Sequence, residues 1–431
     1  MKVSRQHALL YLLFFVMLLV LSPRAGLDGD VGCWRGWASY IFTNGLENTY
    51  QTPGINYNPF YMYVLWLYGK MAGSVAKIEY YCHQLKGFTL LFDIGGAILA
   101  SRLVAGRERQ FMLSLLLLFN IGYVYNTMIW EQVDAILAFF AFASVLVALR
   151  GNTAGSLMLF ILAINTKAQG IVFLPPLLVL WIGEWVRRPR QLPIALGAAA
   201  ALQVAILSPF LWGGEQNTGA RILEINIGTV GLYPVVSMNA YNVWVLIFQE
   251  KALMNIYSIS DDLEAAGLTY RQWGLVMFMV ASAITLLPLL ILVVRNSLAR
   301  RRYTSMDQAL VLLCCGMVPL LFTYFNTQMH ERYWHPAILF LAGSAFLTRR
   351  YWLYIVASIA YFLQLEAVLR YLMLRKYSIL FFDINFITGL FTLCIIGGIW
   401  EVYRLARVKG LVSEIRLILR SPKAPATLVQ A

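Results

Sequence analysis

Long apolar runs separated by short polar turns organise this chain. Twelve runs stand out, at about 7–23, 83–104, 109–127, 134–149, 154–165, 170–186, 191–212, 273–295, 307–326, 333–348, 351–369 and 384–403. Most approach the roughly 20 apolar residues that a helix needs to cross a bilayer. The turns between them are of two kinds. One kind carries basic residues and little else: Arg102, Arg107 and Arg109; Arg150; Arg187, Arg188 and Arg190; Arg295 and Arg300 to Arg302; Arg349 and Arg350. Lys2 and Arg5 precede the first run, and the tail from Arg404 to Lys423 is basic too. Excess Lys and Arg mark cytoplasmic turns, so the pattern predicts both termini inside. Arg370, Arg375 and Lys376 are exceptions on the outer side. The other turns hold acids, amides and aromatics, and two of them are long, 23–81 and 212–272. Long ordered segments in compact proteins tend to be functional. "NPFYMYVLWLYGKMAG" in the first has the aromatics and lysine of an interfacial helix. The short runs on either side of "NTKAQG" suggest helices that stop within the membrane around a cavity.

Composition agrees. Apolar residues make up 60% of the chain and charged ones 13%, against about 25% charged in soluble domains. Mean hydropathy is +0.67. The expectation is an all-α polytopic membrane protein forming one membrane-embedded unit over 1–431. A first module runs to about 215 and a second from about 216, with no soluble domain or fixed-period repeat. The net charge of +13 sits mostly at helix ends, so it does not indicate nucleic acid. Cys314, Cys315 and Cys394 lie in apolar runs and read as core, whereas Cys33 and Cys82 both face outside and the sequence leaves their pairing open. The first run lacks a small-x-small cleavage site and reads as a retained helix. The absence of any Asn-x-Ser/Thr sequon favours a bacterial inner membrane over an endoplasmic-reticulum one.

The outer turns hold the candidate chemistry. They carry Asp28 and Asp30; Asn56, Tyr57 and Asn58; Trp130, Glu131, Gln132 and Asp134; Asn165, Lys167 and Gln169; Tyr233, Asn239, Tyr241, Asn242 and Trp244; and His330, Glu331, Arg332, Tyr333 and His335. Lysine at membrane depth is costly and is paired or functional unless it snorkels to the interface. Lys167, Arg332 and His330 together would bind a phosphate, the guanidinium taking two oxygens. A structural histidine is the other reading of His330, and Glu331 is expected to pair with Arg332 or another cation. A phosphate ester leaves well without a general acid. Transfer from a lipid phosphate therefore needs cations to hold the departing charge and one base to take a hydroxyl proton. Asp28 and Asp30 are the candidates, against a helix-capping role in which Asp30 starts a helix near Val31.

Several stretches, in order, resemble one family. "GDVGCWRGWASYIFTNGLENTY" is similar to a first-loop acid followed by an aromatic and Trp-Ala. "INYNPFYMYVL" resembles a Tyr-Pro-Pro-Leu segment, with Asn58 at the first proline. "WEQVDAILAFF" resembles Trp-Gly-Gln-x-Asp, with Glu131 at the glycine. "INTKAQGIVFLP" is similar to a Thr-Lys-x-Gln segment and "MHERYWHPAI" to Met-His-Glu-Arg-Tyr; "SMNAYNVW" and "KGFTLLFD", ending at Asp93, fit as well. Over roughly residues 28–336 the pattern resembles polyprenyl- or dolichyl-phosphate-sugar-dependent glycosyltransferases of the GT-C superfamily, in the branch of the GPI second mannosyltransferase and its bacterial relatives. The resemblance implies a GT-C fold and an inverting transfer of a hexose, mannose or glucose, to a lipid, glycan or protein hydroxyl. It implies Asp30, favoured over Asp28 by the aromatic and Trp-Ala spacing, as base. Lys167, His330 and Arg332 would face the donor phosphate. Asp134, Gln132 and Gln169 would contact sugar or acceptor, and Tyr57, Asn239 and Tyr241 join that set. No cofactor is implied; a divalent ion shared between acids and phosphate is left open. The competing classes are a lipid-sugar flippase or transporter, for which internal repeats and polar groups on both faces are expected, and a GT-C transferase of an amino sugar or an oligosaccharide.

Overall fold

The computed structural model describes residues 5–52, 54–228, 231, 233–248 and 258–420. Lys2, the tail beyond Arg420 and residues 249–257 of the second long loop lie outside the described residues.

Each of the twelve apolar runs is helical. In chain order the helices are α1 (Arg5–Val20), α2 (Asp28–Asn44), α3 (Pro59–Ala72), α4 (Val75–Tyr80), α5 (Lys86–Ser101), α6 (Arg107–Leu118), α7 (Ile121–Met128), α8 (Asp134–Leu149), α9 (Thr153–Thr166), α10 (Leu174–Arg187), α11 (Gln191–Ser208), α12 (Gly219–Gly228), α13 (Val243–Ile247), α14 (Tyr270–Leu298), α15 (Ser305–Phe325), α16 (His335–Thr348), α17 (Trp352–Leu369), α18 (Ile384–Ala406) and α19 (Val408–Arg420). Among the described residues, six segments are long and apolar enough to cross a membrane: Ala168–Arg187, Gln191–Gly213, Tyr270–Leu298, Ser305–Phe325, Trp352–Leu369 and Ile384–Arg420. A seventh arises if α6 and α7, bent by 59°, count as one. Asn120 sits at the bend. Its side-chain oxygen caps α7 at the Tyr123 amide, and its amide donates to the Tyr354 and Ser358 hydroxyls of α17 at 2.8 and 2.7 Å. Of the twelve expected spans, those at α1, α8, α9 and α16 are apolar but only 14–16 residues long.

The core is built around α8, α15 and α16. Almost every residue of α8 and α16 is buried, and so is 83% of the Ser305–Phe325 segment, against 22% of Gln191–Gly213. The outer helix α14 exposes Leu275, Val276, Met279, Val280, Ile284 and Leu287, an apolar face for lipid. One apolar cluster runs from Val31 to Leu411.

The first long loop folds into helices. α2 begins at Asp28, with Leu27 in the capping position and both acids in the first turn, so Asp30 does not cap a helix from Val31. α3 opens on Pro59, which needs no amide partner there, and stops at Gly73, whose φ of 75° favours glycine. It packs Tyr61, Met62 and Leu65 inward and leaves Leu67, Lys70 and Met71 exposed, as an interfacial helix would. Cys33 and Cys82 are both free thiols.

The second long loop carries α12, α13 and a two-residue hairpin, β1 (Glu264–Ala265) with β2 (Leu268–Thr269), turning through Ala266 and Gly267 at positive φ. It lies along the α15–α16 turn as a strap. Met238 and Ala240 both donate their amides to the Met329 carbonyl at 3.0 and 3.2 Å, and the Gln328 amide reaches Val235. Asp261, fully buried, fastens it by accepting from Arg271, from Thr327 at 2.7 Å and from Gln328 at 2.8 Å.

Candidate active site

Four turns meet at the helix ends opposite the arginine-rich turns. They are the start of α2, the α7–α8 turn, the α9–α10 turn and the α15–α16 turn. Asp30 and Asp134 lie in the first turns of α2 and α8, where the positive helix end favours a carboxylate. Lys167 stands in extended backbone between α9 and a short 3₁₀ turn. Arg332 lies in the turn that ends at α16. Polar side chains in these turns have left the apolar faces of the helices and so point at one another.

The contacts are close. Gln132 donates its side-chain amide to Asp30 Oδ2 at 2.5 Å. Arg332 Nη1 lies 3.9 Å from the same oxygen and 3.1 Å from Glu331 Oε1, and its Nε is 4.0 Å from Asp134 Oδ2. Lys167 Nζ donates to Asp134 Oδ1 at 2.6 Å and sits 5.4 Å from the centre of the Tyr57 ring, where ring and cation attract. The Asn126 amide adds a longer bond to Asp134 at 3.3 Å. Lys167, Asp134, Gln132, Glu331 and Arg332 are all buried. Asn58 anchors the first loop here, donating to the carbonyl of Ile164 at 2.7 Å.

Electrostatics refine the roles. Burial, with Arg332 and Lys167 nearby, pushes His330 well below its ordinary pKa, so it is a neutral hydrogen-bonding group at neutral pH rather than a third cation. Burial raises the Glu331 carboxyl, although Arg332 beside it pulls the other way. Burial likewise raises the Tyr57 phenol, keeping it protonated near two carboxylates. Two permanent cations therefore face three acids, Asp30, Asp134 and Glu331. An incoming phosphate has to compete with Glu331 for Arg332 and with Asp134 for Lys167.

The structure thus brings Asp30, Gln132, Asp134, Lys167, Arg332 and Tyr57 into one cluster. Gln169 is beside it, lining an apolar cleft with Asp134, Tyr333, Leu137, Phe173 and Phe322. His330 reaches the group through its neighbours, with its ring 5.3 Å from that of Tyr333. Asn239, at φ 69°, and the buried Tyr241 belong to the strap, and Asn239 pairs through its backbone with His330. Asp28 is exposed and makes none of these contacts. Below the cluster, Asp93 and His335 are fully buried 3.9 Å apart.

Sequence reasoning missed one ion pair. Lys86, fully buried at the start of α5, donates to Glu131 Oε1 at 2.6 Å, and His83 Nδ1 lies 2.8 Å from the same oxygen. The available signal was a lysine and a histidine at the start of a mostly apolar run that also carries Asp93. Among the described residues no group of three or more His, Cys, Asp or Glu side chains could hold a metal ion. No known family's sequence model matches the chain, and no curated protein matches it.

Proposed function

We propose that this chain is an inverting glycosyltransferase of the GT-C type. It moves a hexose, mannose or glucose, from a polyprenyl-phosphate sugar to a hydroxyl acceptor at the non-cytoplasmic face of a bacterial inner membrane. Six helices among the described residues that are long and apolar enough to cross a membrane, or seven with the bent pair, and the gathering of arginines at one set of turns support this reading. One observation carries it: Asp30, gripped by Gln132, stands 3.9 Å from Arg332, although 302 positions separate the two in the chain.

The chemistry follows from that pairing. Asp30 accepts the proton of the acceptor hydroxyl as its oxygen attacks the anomeric carbon from the face opposite the phosphate. The bond from that carbon to the phosphate oxygen breaks, and the lipid phosphate leaves with the electron pair. Lys167 and Arg332 hold the charge it gains. An aspartate is a weak base, with a pKa of about 3.9 when exposed, and it becomes effective only as the hydroxyl turns acidic in the transition state.

The test is Asp30→Asn in purified protein with a polyprenyl-phosphate sugar. Turnover is expected to fall by roughly 10²–10⁴, the usual worth of a positioned base, with lipid-phosphate binding retained. Wild-type turnover by the variant would refute the base assignment.

A further inference from the structure

The buried ion pair beside the site has a job that the transfer chemistry does not itself require. All three protons of the Lys86 ammonium are placed: one on Glu131 Oε1 at 2.6 Å, one on the Pro23 carbonyl at 2.7 Å and one on the Met128 carbonyl at 2.9 Å. One side chain rising from α5 therefore ties together the approach to α2, the end of α7 and the turn before α8. Glu131 is only 7% exposed and holds φ at 63°, a region that non-glycine residues enter at a cost. Its side chain is committed to Lys86 and His83, while its own carbonyl accepts the Trp34 indole of α2 at 3.3 Å.

These bonds all bear on Asp30. Pro23 lies upstream of Asp30, Trp34 lies one helical turn after it, and Gln132, next to Glu131, holds its carboxylate. Neither Lys86 nor Glu131 touches Asp30. A buried pair costs desolvation and often adds no net stability over apolar replacements, so stability alone does not account for it. We propose that Lys86 and Glu131 are positioning residues: they fix the strained α7–α8 turn so that Gln132 holds Asp30 at its distance from Arg332.

The inference rests on the transferase reading, so its test has one readout independent of activity. Removing one partner strands a buried charge, so single variants are expected to fold poorly. The double variant Lys86→Met/Glu131→Gly removes both charges and relaxes the positive φ. It is expected to fold, to bind polyprenyl phosphate as the wild type does, and to show kcat lowered by about 10–100-fold, the order expected for misplacement by about 1 Å. In parallel, Asp30 is labelled with a water-soluble carbodiimide and read by peptide mass spectrometry. Labelling several-fold faster in the double variant supports the proposal, whether or not sugar is transferred. Labelling and kcat both at wild-type values in a folded double variant would overturn it. A wild-type protein that transfers no sugar would instead sink the transferase reading, leaving the labelling result to decide on positioning.

Discussion

Lys167→Met is the most direct probe of the site because it touches two separable properties. The ammonium is 2.6 Å from Asp134 Oδ1, and both side chains are at least nine-tenths buried. Removing one member of such a pair leaves the other charge without compensation, at a cost of about 3–5 kcal/mol. Asp134 would retain only Arg332 at 4.0 Å and Asn126 at 3.3 Å. The single variant should therefore lose thermal stability, and Lys167→Met/Asp134→Asn should recover most of it. Binding behaves differently. A charge-assisted hydrogen bond contributes about 1.5–3 kcal/mol, so loss of Lys167 should weaken polyprenyl-phosphate affinity by roughly 10–150-fold in both variants. Thermal midpoints in detergent and titration with polyprenyl phosphate, each on monodisperse protein, separate the effects. If the double variant regains stability and also binds lipid phosphate as tightly as the wild type, Lys167 is a structural cation and the phosphate role fails.

Two further outcomes follow from the strap and from the helix contacts beneath it. Burial would raise the Asp261 carboxyl, but hydrogen bonds from Arg271, Gln328 and Thr327 outweigh that and hold it below the ordinary carboxylate range. Its stabilising contribution is thus fully present above the unfolded value of about 3.9 and is lost as pH falls through the lower folded value; proteolysis of the 258–269 segment should increase at such acid pH, and Asp261→Asn should be cleaved readily even at pH 7. A methyl group on Gly274 would meet the Phe325 carbonyl at 2.8 Å and Asn326 Cα at 3.2 Å, so Gly274→Ala should push the α15–α16 turn aside and cost about 1–3 kcal/mol, read as a lowered thermal midpoint.

What the sequence made legible follows from where cost concentrates. Polar groups at the ends of apolar runs are expensive unless they meet, which makes a common cluster of Asp30, Lys167 and Arg332 legible in the sequence. The positions of the helices were equally plain from the apolar runs. Their bounds were legible too where a run is a single helix, as in α8 at 134–149, and less so in the 109–127 run, which is two helices, α6 and α7, bent by 59° at Asn120. Lys86 stayed hidden for another reason. Two of its partners are the backbone carbonyls of Pro23 and Met128, which no residue type announces. The charge state of His330 was not legible, since it is set by burial beside Arg332 and Lys167. The Asp261 clasp joins residues 66 and 67 positions apart through one carboxylate, with no periodicity to show it.

The brevity of α8 and α9 has a consequence for where the reaction takes place. At 16 and 14 residues they extend about 24 and 21 Å at 1.5 Å per residue, whereas the hydrocarbon slab is about 30 Å thick. With their arginine-side ends anchored at one headgroup layer, the opposite tips, bearing Asp134 and Lys167, fall several ångströms short of the other. On the proposed transferase reading the floor of the pocket would be a dent in the oily layer, and a lipid-borne sugar would dock by sliding sideways and sinking slightly, without lifting its tail into water.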